Sequence, residues 1–199
     1  MQDFIIQNLF NESILPLSDE QKDLLSIVFD VCYNTDDKIL QVRPSSVAFI
    51  NCMKWGGSVE NAIASSLLTL NSNHGPFTET RNLIELFFEK GLDEYKKYVK
   101  LLLDNRNIVP GYGSPVFKNK NDDERCIKII DKLSKLDRRY EEIANETKII
   151  LSYYNKNIKR NIVFCISAVA SYLKLPIHKT SSLFIIPTLL RYLNLWQPH

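Results

Sequence analysis

The chain has 199 residues, 45% of them hydrophobic and 24% charged, with a formal net charge of +2 at pH 7. This composition suits one globular domain, or a domain with a lobe, and so small a net charge implies no overall pull toward nucleic acid or membrane. No stretch approaches the roughly 20 apolar residues needed to span a bilayer. The opening "MQDFIIQNLF" lacks a signal peptide's basic start and small-residue cleavage site, so a cytoplasmic location is expected.

In chain order, Ser18 followed by Gln21 reads as a capping box, and Leu24, Leu25, Val28, Phe29 and Cys32 then recur at helical spacing. Asn34 to Asp37 end that helix. Pro44 suits the opening of a second, with Val47, Ile50 and Met53 on one face. Gly56 and Gly57 break it, and Ser58 is placed to cap a third, "VENAIASSLLTL". The small side chains of that helix predict deep packing on its neighbours. After the break "NSNHGPFTET", Thr78 is the expected cap of "ETRNLIELFFEK", which Gly91 stops. "LDEYKKYVKLLLDN" is amphipathic and runs into an irregular stretch, "VPGYGSPVFKNKNDDERC".

Beyond it, "DERCIKIIDKLSKL" and "RRYEEIANETKIILSYYN" carry apolar stripes at helical spacing, and "NIVFCISAVASYLKLP" is apolar enough to be buried on most sides. In the last helix, "TSSLFIIPTLLRYLNLW", Pro187 is expected to kink or break the run. No alternating strand pattern of useful length exists, so the fold class is all-α. The four cysteines are scattered, with no paired spacing and no nearby histidine. That argues against zinc and against a disulfide framework, and leaves buried thiols in a reducing compartment.

Three features carry possible chemistry. His74, at a helix-to-loop break before Gly75 and Pro76, reads either as a histidine favoured by a helix end or as one in a cleft polarising a carbonyl. The loop from Val109 offers glycine N–H groups and the Tyr112 ring to a flat heterocycle, with Lys118 and Lys120 to meet phosphates; a plain surface connection has the same turn chemistry. Arg125 follows Asp122, Asp123 and Glu124 in a first helical turn. The dipole disfavours a cation there, which points to a partner carboxylate. The weak basic patch of Lys148, Lys156, Lys159 and Arg160 suits a solvated face.

Taken together, these segments resemble citrate synthases and the related citryl-CoA lyases. "ENAIASSLLTLNSNHGPFTETRNLIE" is similar to that family's helix, histidine-glycine break and following helix. "VPGYGSPVFKNKNDDER" looks like its Pro-Gly-aromatic-Gly-His loop with a later Asp-Pro-Arg. "NIVFCISAVASYLKLPIHKTSSLFII" resembles its Asn-Val-Asp segment with the later Leu-Gly-Ile-Pro and Leu-Phe-Ile-Ile stretches. The resemblance runs from about Ser18 onward, to a lyase-sized core with a reduced N-terminal part. It implies an all-α homodimer whose large and small domains close over acyl-CoA. The expected parts are a large-domain-like part at 1–78, a small-domain-like part at 79–165 with the loop at 107–121, and helices at 166–199 returning to the large-domain-like part.

Residue by residue, the resemblance makes His74 the enol-stabilising histidine and Arg125 the ligand of a substrate carboxylate. It makes Val109, Gly111, Tyr112 and Gly113 a CoA-contacting loop, with Lys118 and Lys120 facing phosphate. The departures are as informative. Ser114 stands at a second catalytic histidine, Val163 at the catalytic aspartate and Thr35 at an oxo-acid-binding histidine, while Arg191 lies too far along to match a late arginine. Valine accepts no proton, serine is a poor acid, and losing one such group costs roughly 10²–10⁴-fold in rate. The expected function is therefore an acyl-CoA-binding, citrate-synthase-like protein that has lost citrate synthase activity. The alternative is an acyl-CoA enzyme with altered condensation, cleavage or thioester hydrolysis, using His74, Ser114 and Arg125. No metal and no permanently bound cofactor are expected, only coenzyme A or acyl-CoA as ligand.

Overall fold

The computed structural model describes residues 17–41, 43–69, 75–113 and 123–195. Ser18 opens α1 (Asp19–Tyr33) with both arms of the expected capping box. Gln21 N–H donates to Ser18 Oγ at 3.3 Å, and Ser18 N–H donates to Gln21 Oε1 at 2.9 Å. A single turn, α2 (Asp37–Leu40), leads to α3 (Pro44–Lys54), where Pro44 takes the first helical position. Ser58 Oγ caps α4 (Val59–Leu68), accepting from Asn61 N–H at 3.3 Å.

The next helix, α5 (Phe77–Lys90), begins one residue before the expected cap. Pro76 is the flanking residue, Thr78 lies inside the first turn, and Thr80 Oγ1 donates to the Pro76 carbonyl at 2.6 Å. Burial of Phe77 against Phe184, with ring centroids 5.5 Å apart, draws that residue into the helix. Gly91, at φ +83°, ends α5 and opens α6 (Leu92–Asp104). The remaining elements are α7 (Glu124–Leu136), α8 (Arg139–Tyr153), α9 (Ile162–Tyr172), a 3-10 turn (Ile177–Lys179) and α10 (Ser182–Leu195). Among the described residues there is no strand, only an isolated antiparallel bridge between Tyr112 and Arg160. The class is all-α, as the periodicity implies.

The apolar helix α9 is the axis of the main core. Every residue from Ile162 to Ser171 is buried, against α5 on one side and α7 on another. Around this axis α1 packs on α7 and α10, and α6 packs on α5 and α8. A second, smaller core forms where α3 and α4 meet α10 through Phe49, Ala62 and Tyr192. The Tyr192 hydroxyl bonds Ser46 Oγ at 2.6 Å and Ser45 Oγ at 3.3 Å, which satisfies it inside that core.

One expectation is corrected here and one is narrowed. Helix α4 is not deeply packed: only Ala62 and Ser66 are buried, and Leu68 is 83% exposed. Its small residues pack mainly on α3, with Ala62 also in the second core. Pro187 does not break the last helix, because α10 continues through it. Burial of Leu183, Phe184 and Tyr192 along α10 outweighs the missing bond to the Leu183 carbonyl. No described helix is long and apolar enough to cross a membrane.

Candidate functional site

The ends of several helices meet the Val109–Gly113 loop. Gly111 has φ +83°, and a Cβ there would lie 2.7 Å from Thr80 Cγ2 of α5 and 3.0 Å from Phe164 Cβ of α9. Only glycine lets the loop pass between those two helices. The loop is then stitched to the start of α9. Asn161 N–H donates to the Gly111 carbonyl at 2.9 Å, Gly113 N–H to the Lys159 carbonyl at 2.8 Å, and Asn161 Nδ2 to the Gly113 carbonyl at 2.6 Å. The same Asn161 caps α9, its Oδ1 accepting from Val163 N–H at 2.9 Å. Ser167 Oγ, one turn further, holds the Phe77 carbonyl at 3.2 Å, so the residues after Gly75 are anchored to the same helix.

Within this loop the side chains face inward. Val109 is buried, and the Tyr112 ring is 8% exposed and tilted against Phe164 at 5.5 Å. Burial pushes the Tyr112 hydroxyl well above its usual pKa, beside Tyr95 and Thr147. A ligand over the loop therefore meets main chain at Pro110 and Gly113 rather than the tyrosine ring. A Cβ at Gly113 would meet nothing within 4 Å among the described residues. Val163, at the start of α9, is buried and carries no proton acceptor.

The partner carboxylate that Arg125 called for is Asp123. Arg125 Nε and Nη2 fork onto its two oxygens at 2.9 and 2.6 Å, while Asp123 also caps α7 by accepting from Arg125 N–H at 3.1 Å. Burial works against the Arg125 charge, but the bonds to Asp123 outweigh it and raise the arginine's pKa. Arg125 Nη1 reaches Thr35 Oγ1 at 3.5 Å, so the structure brings together two positions the resemblance assigned to one oxo-acid site.

Sequence reasoning missed Arg43. Its guanidinium lies 4.8 Å over the Phe184 ring, with Nη1 buried and unpartnered. Burial and the neighbouring Arg125 charge push its pKa down. Arg191 stacks on Tyr33 at 6.0 Å. Arg43, Arg125 and Arg191 thus gather at the C-terminal end of α1, where helix carbonyls favour cations. The one signal available in the sequence was an arginine directly before a helix-opening proline. Beneath them Cys32 is a free thiol whose pKa burial pushes up to about 12, an inert group at neutral pH.

His74, Ser114, Lys118 and Lys120 lie outside the described residues. Among the described residues no cluster of histidine, cysteine, aspartate or glutamate could hold a metal ion.

No protein-family model matches the chain, and no curated protein matches its sequence. Solved structures do match. A citryl-CoA lyase from Hydrogenobacter thermophilus has a TM-score of 0.75 at 20% identity, over 97% of this chain and 75% of its own. A citrate synthase from Thermotoga maritima MSB8 has a TM-score of 0.72 at 19% identity, over 92% of this chain and 53% of its own. An ATP citrate lyase from Methanothrix soehngenii, solved with citrate and coenzyme A, has a TM-score of 0.68 at 14% identity, over 89% of this chain and 32% of its own. At these identities the likeness is one of architecture. The chain has the fold of these citryl-CoA lyase and citrate synthase structures.

Proposed function

We propose that the chain binds coenzyme A or an acyl-CoA on the Val109–Gly113 loop and does not form or cleave citrate. One observation carries this reading. The loop is held to the start of α9 by three hydrogen bonds, yet that helix start presents Val163, which cannot take a proton from an acyl carbon. The Arg125–Asp123 fork supports it, since the arginine's bidentate face is already filled. Arg43, with its free Nη1, leaves the cluster able to attract an anionic acyl group.

The test is calorimetric titration with coenzyme A and acetyl-CoA, alongside an assay of citrate formation from acetyl-CoA and oxaloacetate. Gly113→Ala is the informative variant, because its methyl enters open space over the loop. A Kd of about 10 μM, weakened about tenfold or more by Gly113→Ala, is expected, with no citrate formed. Absence of binding at about 1 mM ligand would show that the loop is a scaffold relic. Citrate formation would overturn the loss of chemistry.

A further inference from the structure

One side-chain amide serves both the loop and the start of α9. Asn161 Oδ1 accepts from Val163 N–H at 2.9 Å and from Phe164 N–H at 3.4 Å, which caps the helix. Its Nδ2 donates to the Gly113 carbonyl at 2.6 Å. The helix start requires an oxygen and the carbonyl requires an N–H, so the amide has a single orientation. Few side chains can meet both demands. Aspartate and serine cap helices about as well as asparagine. Aspartate, however, has no proton to give the carbonyl, and the shorter serine hydroxyl stops short of it.

Gly113 depends on that bond. It is held at φ +83°, its N–H donates to the Lys159 carbonyl at 2.8 Å, and its carbonyl is taken by Asn161. With both groups engaged, what Gly113 presents is the flat faces of its peptide planes, and a Cβ there would meet no described atom within 4 Å. A planar base would meet those faces by contact, and their tilt is set where the carbonyl is pinned. We propose that Asn161 is a positioning residue for coenzyme A: its Nδ2 fixes the Gly113 peptide on which the ligand's planar base lies, separately from its capping of α9. The inference rests on the reading of the Val109–Gly113 loop as a coenzyme A site.

Asn161→Ser and Asn161→Asp keep the cap and lose the amide donor, and the neutral serine separates that loss from the added charge of aspartate. Asn161→Ala loses both. Amide hydrogen exchange of the isotope-labelled chain reads the pin, and calorimetric titration with coenzyme A reads the ligand. In the serine and aspartate variants the Gly113 N–H should exchange about tenfold faster or more, with Val163 and Phe164 still protected. The coenzyme A Kd should rise about tenfold in both. In Asn161→Ala, Val163 and Phe164 should lose protection as well. A Kd unchanged by Asn161→Ser would overturn the proposal, as would unchanged Gly113 exchange. So would loss of protection at Val163 and Phe164 in all three variants. Faster Gly113 exchange in a chain that binds no coenzyme A at about 1 mM would uphold the pin and overturn the coenzyme A reading alone.

Discussion

Gly111 shows how much one side chain, or its lack, decides here. Gly111 and Gly113 share φ +83°, so an alanine at either meets the same backbone strain, but only Gly111 is enclosed by Thr80 and by the Cα and Cβ of Phe164. Backbone atoms of a buried helix cannot give way. Gly111→Ala should therefore cost about 2–4 kcal/mol of stability, against about 1 kcal/mol for Gly113→Ala, as read from urea denaturation midpoints. Equal losses would mean that the gap between α5 and α9 can accept a methyl group. Arg125 is the second decisive residue. Its position in the first turn of α7 pointed to a carboxylate partner, and that partner proved to be Asp123, two residues away. That a local acid would claim the fork was not legible, because spacing in the chain does not say which way a guanidinium turns. Tyr112 turned likewise: an aromatic ring between glycines reads as a ligand platform, but its apolar surface gained more by covering Phe164.

Among the elements, α9 and α4 are opposites. Both are rich in small and apolar residues. α9 has neighbours on all sides and is buried throughout, while α4 packs mainly on α3 and leaves Leu67 and Leu68 exposed. The homodimer that the resemblance implies would cover such a face. Light scattering on a sizing column should find a dimer, and Leu68→Glu should convert it to a monomer with unchanged helical circular dichroism. A monomeric unsubstituted chain would dispose of the idea. The capping signals at Ser18, Pro44, Ser58 and Gly91 are readable because each acts within one turn. Thr78 misleads because burial of Phe77 outweighs local preference, while α10 continues through Pro187 with Leu183 and Phe184 buried.

For the molecule as a whole, the buried acids set its response to alkali. Burial pushes the Cys32 thiol from an ordinary 9.0 up to about 12, and the Tyr140 phenol from 10.0 to about 12. Below the unfolded values both states keep these protons, and the stabilisation is fully present. As pH rises past about 9 the unfolded chain ionises first, so stability falls and this contribution is gone by about pH 12. Thermal melts followed by circular dichroism should show a Tm nearly flat between about pH 7 and 9 and falling steadily above. A Tm level to about pH 11 would contradict the burial of these groups.

The amino-acid sequence alone determined the helices, most of their ends, the all-α class and a loop that resembles one family's. Each of these depends on periodicity, capping and turn chemistry, which act over a few neighbouring residues. Tertiary structure decided the rest: that Gly111 threads between α5 and α9, that Arg43 joins Arg125 and Arg191 at the end of α1, and that Asp123 fills the Arg125 fork. Those juxtapositions join residues that are distant in the chain, or turn on the direction of a side chain. Both are set by packing, which no local pattern records.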